Sequence, residues 1–147
     1  MSNLCPLDYR YGRKEMKEIW YEESRLQYQM DVESALARAH ASLGTITKED
    51  AEEITRVANL SVTKIERVKE IESETRHDVM AMVKAMTEQC KGDAGKFVHY
   101  GSTSNDIVDT ATALQIKASI ELIQKDVDSF IITLAKLSKQ ERDTIEV

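Results

Sequence analysis

Three short polar clusters hold the side chains whose types and spacing could do chemistry. In chain order they are Arg10-Tyr11, Arg76-His77-Asp78 and Thr103-Ser104. Guanidinium, imidazole and hydroxyl groups all donate hydrogen bonds to carboxylate or phosphate oxygens. The chemistry that the clusters share is therefore binding of an anionic ligand.

The third cluster follows a glycine and opens a long helical pattern. Gly101 permits a turn that a Cβ would hinder, and Thr103-x-x-Asp106 has the spacing of a capping box. The first N–H groups of a helix are unpaired and carry a partial positive charge. Two interpretations stay open: a helix cap alone, or a cap at which Thr103 and Ser104 also bind a carboxylate or phosphate.

The other two clusters have equally simple alternatives. Arg10 offers a planar fork suited to phosphate or carboxylate, with the Tyr11 phenol beside it, but it would also suit a surface ion pair. His77 could transfer protons near neutral pH or donate to an anion, or it could be a structural hydrogen bonder near a helix cap. His77-Asp78 lacks further ligands at helical spacing, so we predict no metal site and no cofactor.

The remaining two histidines are predicted to have no chemical role. His40 lies inside a long helical pattern, and we expect it at the surface. His99 precedes the Gly101 turn and could help to shape it, but we expect it mainly to pack like an aromatic ring.

Composition and periodicity predict an all-α protein. The 147 residues include one Pro and five Gly, and they are rich in good helix formers. A capping-box pattern at Thr47 and another at Thr75 predict two helix starts, and Gly44 predicts a helix end. The predicted helices cover about 13–43, 47–58, 62–71, 75–90 and 104–139.

The last predicted helix carries an apolar stripe, here called the heptad stripe. Its members recur in alternating steps of three and four: Ala113, Ile116, Ile120, Ile123, Val127, Phe130, Leu134 and Leu137. A period of 3.5 residues is typical of a left-handed bundle or coiled coil. We therefore predict two parts, a helical domain over 1–103 and the start of a helical bundle over 104–147, in a chain that is a fragment of a longer protein.

Charge and composition narrow the functional classes. A net charge of −6 with interspersed signs argues against a nucleic-acid surface. No signal-peptide core and no apolar run of membrane-spanning length occur, so we expect a cytoplasmic protein. Cys5 and Cys90 have no motif spacing, which favours reduced thiols over a disulfide.

Longer motifs around the three clusters resemble the adenylosuccinate lyases of the fumarase/aspartase superfamily. They are Arg10-Tyr11-Gly12-Arg13-Lys14-Glu15-Met16, Glu74-Thr75-Arg76-His77-Asp78-Val79-Met80-Ala81 and Val98-His99-Tyr100-Gly101-Ser102-Thr103-Ser104-Asn105-Asp106. The resemblance implies an N-terminal helical domain, then the first long helix of a bundle that is shared in a homotetramer. It also implies cleavage of adenylosuccinate into AMP and fumarate, and of the related succinylated carboxamide ribotide of purine synthesis.

The resemblance also implies roles for single residues. Arg10 and Tyr11 match positions that hold the nucleotide and its phosphate, and Arg76, His77 and Asp78 match a substrate-binding run. His77 is in addition a candidate for proton transfer or substrate orientation. Thr103 and Ser104 match positions that bind the succinyl carboxylates.

Two motifs of the family do not occur in the chain. They are the Thr-His-Gly segment with the general acid and the mobile loop with the serine base, so we expect this chain alone to be inactive. Two alternatives stay open: a related lyase or cycloisomerase that acts on another dicarboxylate, and a non-catalytic helical interaction module.

Overall fold

A computed structural model describes residues 11–145, and every regular element in this range is helical. The α-helices are α1 (Lys14–Ile19), α2 (Glu22–Ser42), α3 (Lys48–Val57), α4 (Ile65–Thr75), α5 (Asp78–Gln89) and α6 (Ser104–Gln140), with a 3₁₀ turn at Ala94–Phe97. The prediction of an all-α chain is confirmed.

The core lies where α2, α3, α5 and the start of α6 meet. Its fully buried apolar side chains come from all four helices: Met30, Ile54, Val57, Val79, Met82, Met86 and Ile107. Three of these are methionines, whose unbranched side chains fill irregular gaps between helices. This core fixes the start of α6 against α2, which is the part of the fold that positions the third cluster.

The helix predicted over 13–43 is in fact two helices, so that prediction was wrong. The chain breaks at Trp20 and Tyr21, where Tyr21 is extended. Contacts with α6 cause the break, because the amide of Gln115 donates to the Ile19 carbonyl (2.7 Å) and the Trp20 indole donates to the Ser119 hydroxyl (3.0 Å). A carbonyl bound by a distant side chain stabilises the end of α1, which sequence periodicity does not reveal.

The long helix α6 begins and ends close to the predicted residues. Ile107, Ala111, Gln115 and Ser119 are buried on its first four turns. Beyond Ser119 the large members of the heptad stripe are 47–61% exposed, and within residues 11–145 nothing covers them. The first turns of α6 belong to the same core as α2. The predicted domain boundary between 103 and 104 stays a prediction.

None of the helices among residues 11–145 is long and apolar enough to cross a membrane. Cys90 follows α5 as a free, half-buried thiol. Burial, assisted by the charge of Glu53, raises the pKa of this thiol to about 11. Because the thiolate is the reactive form, the raised pKa lowers the reactivity of Cys90 at neutral pH. Cys5 lies outside the described residues.

Glu53 joins α3 to the end of α5. Its carboxylate accepts two hydrogen bonds from Arg56 (2.7 and 2.8 Å) and one from the Lys91 backbone N–H (2.7 Å). The Arg56 side chain first, and the Lys91 N–H second, lower the pKa of Glu53 to about 2. The ionised carboxylate therefore stabilises the folded chain.

We predict that Glu53→Gln lowers the melting temperature in a pH-dependent way. The pKa of Glu53 is depressed below its ordinary value of 4.5, so the stabilisation is complete above pH 4.5 and is lost as pH falls towards 2. Thermal unfolding followed by circular dichroism should show a gap between wild type and variant at pH 6 that narrows by pH 3. Glu49→Gln, on the same helix and without a side-chain hydrogen bond in the described residues, should show no such change. A gap of constant size would contradict the assignment.

Candidate functional site

The turn that precedes α6 contains two residues with left-handed backbone. Gly101 has φ +75°, as its lack of a Cβ allows, but His99 has φ +66°. A non-glycine residue in this region is uncommon, and it persists only where its surroundings hold it. The Ser102 hydroxyl lies 3.1 Å from His99 Nδ1 and donates to the His99 carbonyl (3.2 Å), so the turn is closed by its own side chains.

A buried carboxylate from α2 holds this turn. Glu33 is 1% exposed; one of its oxygens accepts the backbone N–H of His99 (2.9 Å) and the other lies 2.6 Å from His99 Nδ1. Burial raises the pKa of Glu33 above its ordinary value, and the hydrogen bonds from His99 oppose that rise. The expected packing role of His99 was wrong as the main role: its ring and backbone both bind Glu33, so His99 shapes the turn, which was the alternative.

Sequence reasoning missed Glu33, although one signal was available. Glu33 lies on the same face of α2 as Met30 and Ala37, both buried. A carboxylate among apolar residues at helical spacing needs a hydrogen-bonding partner, since an unpaired buried charge is costly. The pattern alone does not say which donor it meets.

His40 supports the same turn from the end of α2. Its Nε2 lies 3.0 Å from the Tyr100 carbonyl oxygen, and its ring meets the Tyr100 ring edge-on at 5.4 Å. His40 is half-buried, so the prediction of a surface residue was wrong. His40 is partly covered because the turn places the Tyr100 carbonyl and ring against the end of α2.

The predicted capping box at the start of α6 is present. The Asp106 carboxylate accepts the backbone N–H of Thr103 (2.9 Å), and Thr103 is the residue that caps the helix. Ser104 is half-buried, and its hydroxyl makes no hydrogen bond with any residue of 11–145. Ser104 thus offers an unused hydroxyl on the first turn of a 37-residue helix.

The second cluster has a different local structure from the one predicted. Thr75 is the last residue of α4, not the cap of the next helix, and Arg76 ends α4 with φ +56°. His77 caps α5 instead, where its Nδ1 accepts the Met80 N–H at 3.4 Å. The capping-box prediction at Thr75 was wrong because the left-handed Arg76 moves the next helix start by two residues.

The side chains of this cluster are accessible. Arg76 and His77 are exposed, and within residues 11–145 the guanidinium of Arg76 makes no hydrogen bond. Asp78 is already engaged: its carboxylate accepts from Arg25 (3.1 Å) and from the Val79 N–H (2.8 Å). Asp78 therefore orients the start of α5, while Arg76 and His77 are the groups open to a ligand.

Residues 11–145 do not join the three clusters to one another through any hydrogen bond or ion pair. Tyr11 is 65% exposed, and Arg10 lies outside the described residues. The same range contains no group of three His, Cys, Asp or Glu side chains that could hold a metal ion. The roles of the predicted site residues stay predictions.

Similarity to known proteins decides the family. The family described as Lyase matches residues 8–147. The chain belongs to this lyase family. It is 54% identical over 140 residues to the adenylosuccinate lyase of Pyrococcus abyssi, and 38% identical over 135 residues to the N-acetyl-S-(2-succino)cysteine lyase of Dickeya dadantii.

The match to the Pyrococcus abyssi protein covers 95% of this chain but only 31% of that protein. The match to the Dickeya dadantii protein covers 92% of this chain and 30% of that protein. A crystal structure of a fumarate lyase from Mesorhizobium sp. BNC1 has the same fold, with a TM-score of 0.80 and 35% identity. That match covers 91% of this chain and 32% of the other.

We predict that Thr103→Ala and Ser104→Ala have different effects on stability. Loss of the Thr103 cap should lower the free energy of unfolding by about 1 kcal/mol. Ser104→Ala should leave it nearly unchanged, because its hydroxyl makes no hydrogen bond in the described residues. Urea unfolding of the 147-residue lyase chain measures both. Equal losses would mean that the Ser104 hydroxyl supports the backbone and is not free for a ligand.

Proposed function

We propose that this chain is the N-terminal part of an adenylosuccinate lyase, which splits adenylosuccinate into AMP and fumarate. The observation that carries the proposal is the 54% identity to a protein of that name over nearly the whole chain. The geometry at Thr103-Ser104 supports it, since a helix start with an unused hydroxyl suits a carboxylate.

The substrate class matches the charge of the accessible groups. Adenylosuccinate carries a phosphate and two succinyl carboxylates, so it needs several separate anion-binding groups. In the proposal Arg10 and Tyr11 bind the phosphate, and Thr103 and Ser104 bind the succinyl carboxylates. Arg76 and His77 have exposed side chains and contribute further hydrogen bonds to the substrate, while Asp78 orients the start of α5.

The reaction is an elimination that releases fumarate. A base removes a proton from the carbon beside a carboxylate, the C–N bond breaks, and an acid protonates the departing nitrogen. Hydrogen bonds to the carboxylate stabilise the charge that develops when the proton leaves. We assign that stabilisation to Thr103 and Ser104, and proton transfer or substrate orientation to His77. The main acid and base belong to segments that this chain does not contain.

The heptad stripe suits assembly with further copies. Its side chains are about half exposed over more than six helical turns, and such an apolar surface is expected to be covered. In the proposal it packs in the helical bundle of a homotetramer, in which one site draws residues from several chains.

A second candidate is a lyase that removes fumarate from another succino-substituted compound. It rests on the 38% identity to the Dickeya dadantii lyase, whose name describes a succino group on sulfur, and this identity is lower than the 54% to an adenylosuccinate lyase. The carboxylate-binding cluster would serve both reactions. Arg10 distinguishes them, because only the nucleotide substrate brings a phosphate.

A chimera tests the proposal. In it this chain replaces the matching segment of the Pyrococcus abyssi adenylosuccinate lyase. We predict that the chimera forms fumarate and AMP from adenylosuccinate and that the 147-residue chain alone does not. A folded chimera that processes N-acetyl-S-(2-succino)cysteine but not adenylosuccinate would favour the second candidate, and activity of the chain alone would show that the acid and base are misassigned.

We predict that Ser104→Ala in this chimera lowers kcat/KM without lowering the melting temperature. Loss of one hydrogen bond to a charged carboxylate should cost about 1.5–3 kcal/mol of transition-state binding, or roughly ten- to a hundred-fold. Ser61→Ala, at an exposed serine outside the three clusters, is the matched control and should keep full activity. Normal activity with a lowered melting temperature would mean that the turn is only a cap.

We also predict that the 147-residue chain self-associates through the heptad stripe. Each large apolar side chain left in water forgoes about 1.5–3 kcal/mol of burial free energy. Sedimentation at micromolar concentration should show dimers or larger species, and Ile123→Glu or Leu134→Glu should shift them towards monomer. Ala135→Glu, at an exposed position on the same helix but outside the stripe, adds the same single negative charge and is the control. A wild-type monomer at high concentration would contradict the assignment of the stripe to an interface.

A further inference from the structure

The pair formed by Glu33 and His99 makes more contacts than packing of the turn requires. Glu33 uses both carboxylate oxygens on one residue, one on the backbone N–H (2.9 Å) and one on ring Nδ1 (2.6 Å). The His99 side chain is 14% exposed, and that of Glu33 is 0% exposed. Within residues 11–145 Nε2 of His99 makes no hydrogen bond, so the ring is held through one nitrogen only.

The chemistry of the two groups favours the imidazole as the holder of the proton in the hydrogen bond between Glu33 and His99. An imidazole binds a proton more tightly than a carboxylate does, and a carboxylate that accepts a second hydrogen bond from the backbone is further favoured as the anion. The Ser102 hydroxyl gives its one hydrogen to the His99 carbonyl, so its oxygen, 3.1 Å from Nδ1, can only accept there, which agrees with a proton on Nδ1. With the proton on Nδ1, neutral His99 leaves Nε2 as an unprotonated acceptor.

Burying a carboxylate has an unfavourable desolvation free energy, which support of the backbone N–H alone would not require. A buried glutamine could accept the same N–H without a charge, whereas burial raises the pKa of Glu33 and so opposes its ionisation. What glutamine could not do is accept from Nδ1 at the same time, because its second terminal atom is a donor. A carboxylate is therefore required here to accept the hydrogen bond from Nδ1 and so to hold the proton on that nitrogen.

We propose that Glu33 is a positioning residue, which fixes the left-handed backbone and the Nδ1–H tautomer of His99 and so sets the start of α6 beside Thr103 and Ser104. No sequence motif assigned Glu33 a role. The statement that this turn binds substrate rests on the proposed function. The statement about the tautomer of His99 is independent of that function.

The test is ¹⁵N NMR of the 147-residue chain labelled at histidine, which has three histidines to assign. His77 lies at the surface and His40 on α2, so His77→Asn and His40→Gln identify the other two rings. At a pH where His99 is neutral, the wild type should show a protonated Nδ1 and an unprotonated Nε2. A wild-type ring with bare Nδ1 would overturn the proposal without any variant at Glu33.

Glu33→Gln should reverse the tautomer. Its amide oxygen can still accept the His99 N–H, and its NH₂ group then faces Nδ1, which must become the acceptor while Nε2 takes the proton. Glu23→Gln, on the same helix and without a side-chain hydrogen bond in the described residues, is the matched control and should leave the His99 signals unchanged. A folded Glu33→Gln chain with the wild-type tautomer would overturn the proposal.

The chimera with the Pyrococcus abyssi enzyme tests whether the contact between Glu33 and His99 affects the reaction. If the lyase proposal holds, Glu33→Gln should lower kcat/KM at least ten-fold at a melting temperature close to that of the unsubstituted chimera. A reversed tautomer with unchanged kcat/KM would overturn the role of Glu33 in positioning the site. If the unsubstituted chimera has no activity, the lyase proposal fails, while the NMR result still decides the tautomer.

Discussion

The hydrogen bonds between Glu33 and His99 are the interaction on which the candidate site depends. They tie α2 to the turn before α6 and hold a non-glycine residue in left-handed backbone. Because the turn is fixed, the capping box begins α6 at Ser104 and not a residue earlier or later. A shift of one residue would rotate the helix by about 100° and move Ile107 out of the core.

The helix α6 has two different surroundings along its length. Its first four turns share the core with α2 and α5, and α1 lies along the next part, where Arg13 forms an ion pair with Asp126. Beyond these contacts the helix continues through the heptad stripe without a partner in the described residues. A helix of this length is not stabilised by propensity alone.

The accessible clusters have a common design in spite of their separation along the chain. Two lie where one helix ends and the next begins, and each uses a carboxylate to hold the backbone: Asp78 at the start of α5 and Asp106 at the start of α6. In the described residues the anchoring acids leave the Arg76 guanidinium, Nε2 of the exposed His77 ring and the Ser104 hydroxyl without a hydrogen bond. This separation of roles suits a site that binds a multiply charged anion.

The sequence by itself determined the helical class, the start of α6 at the capping box, and the period of the heptad stripe. These features are local: they depend on residues three or four apart, so the pattern of types is enough to read them. The family was recognisable for the same reason, because the motifs around His77 and Thr103 are short and continuous. The roles assigned to Arg10, Tyr11, Arg76 and the other cluster residues stay predictions.

Only the tertiary structure decided the features that join distant residues. The break after Ile19 depends on Gln115, and the conformation at His99 depends on Glu33, 66 residues earlier. Even the end of α4 at Arg76 followed no local cap signal, since arginine rarely takes left-handed backbone. A buried polar group must find a partner, but the sequence does not say which one, because that choice is made by the packing that brings the two helices together.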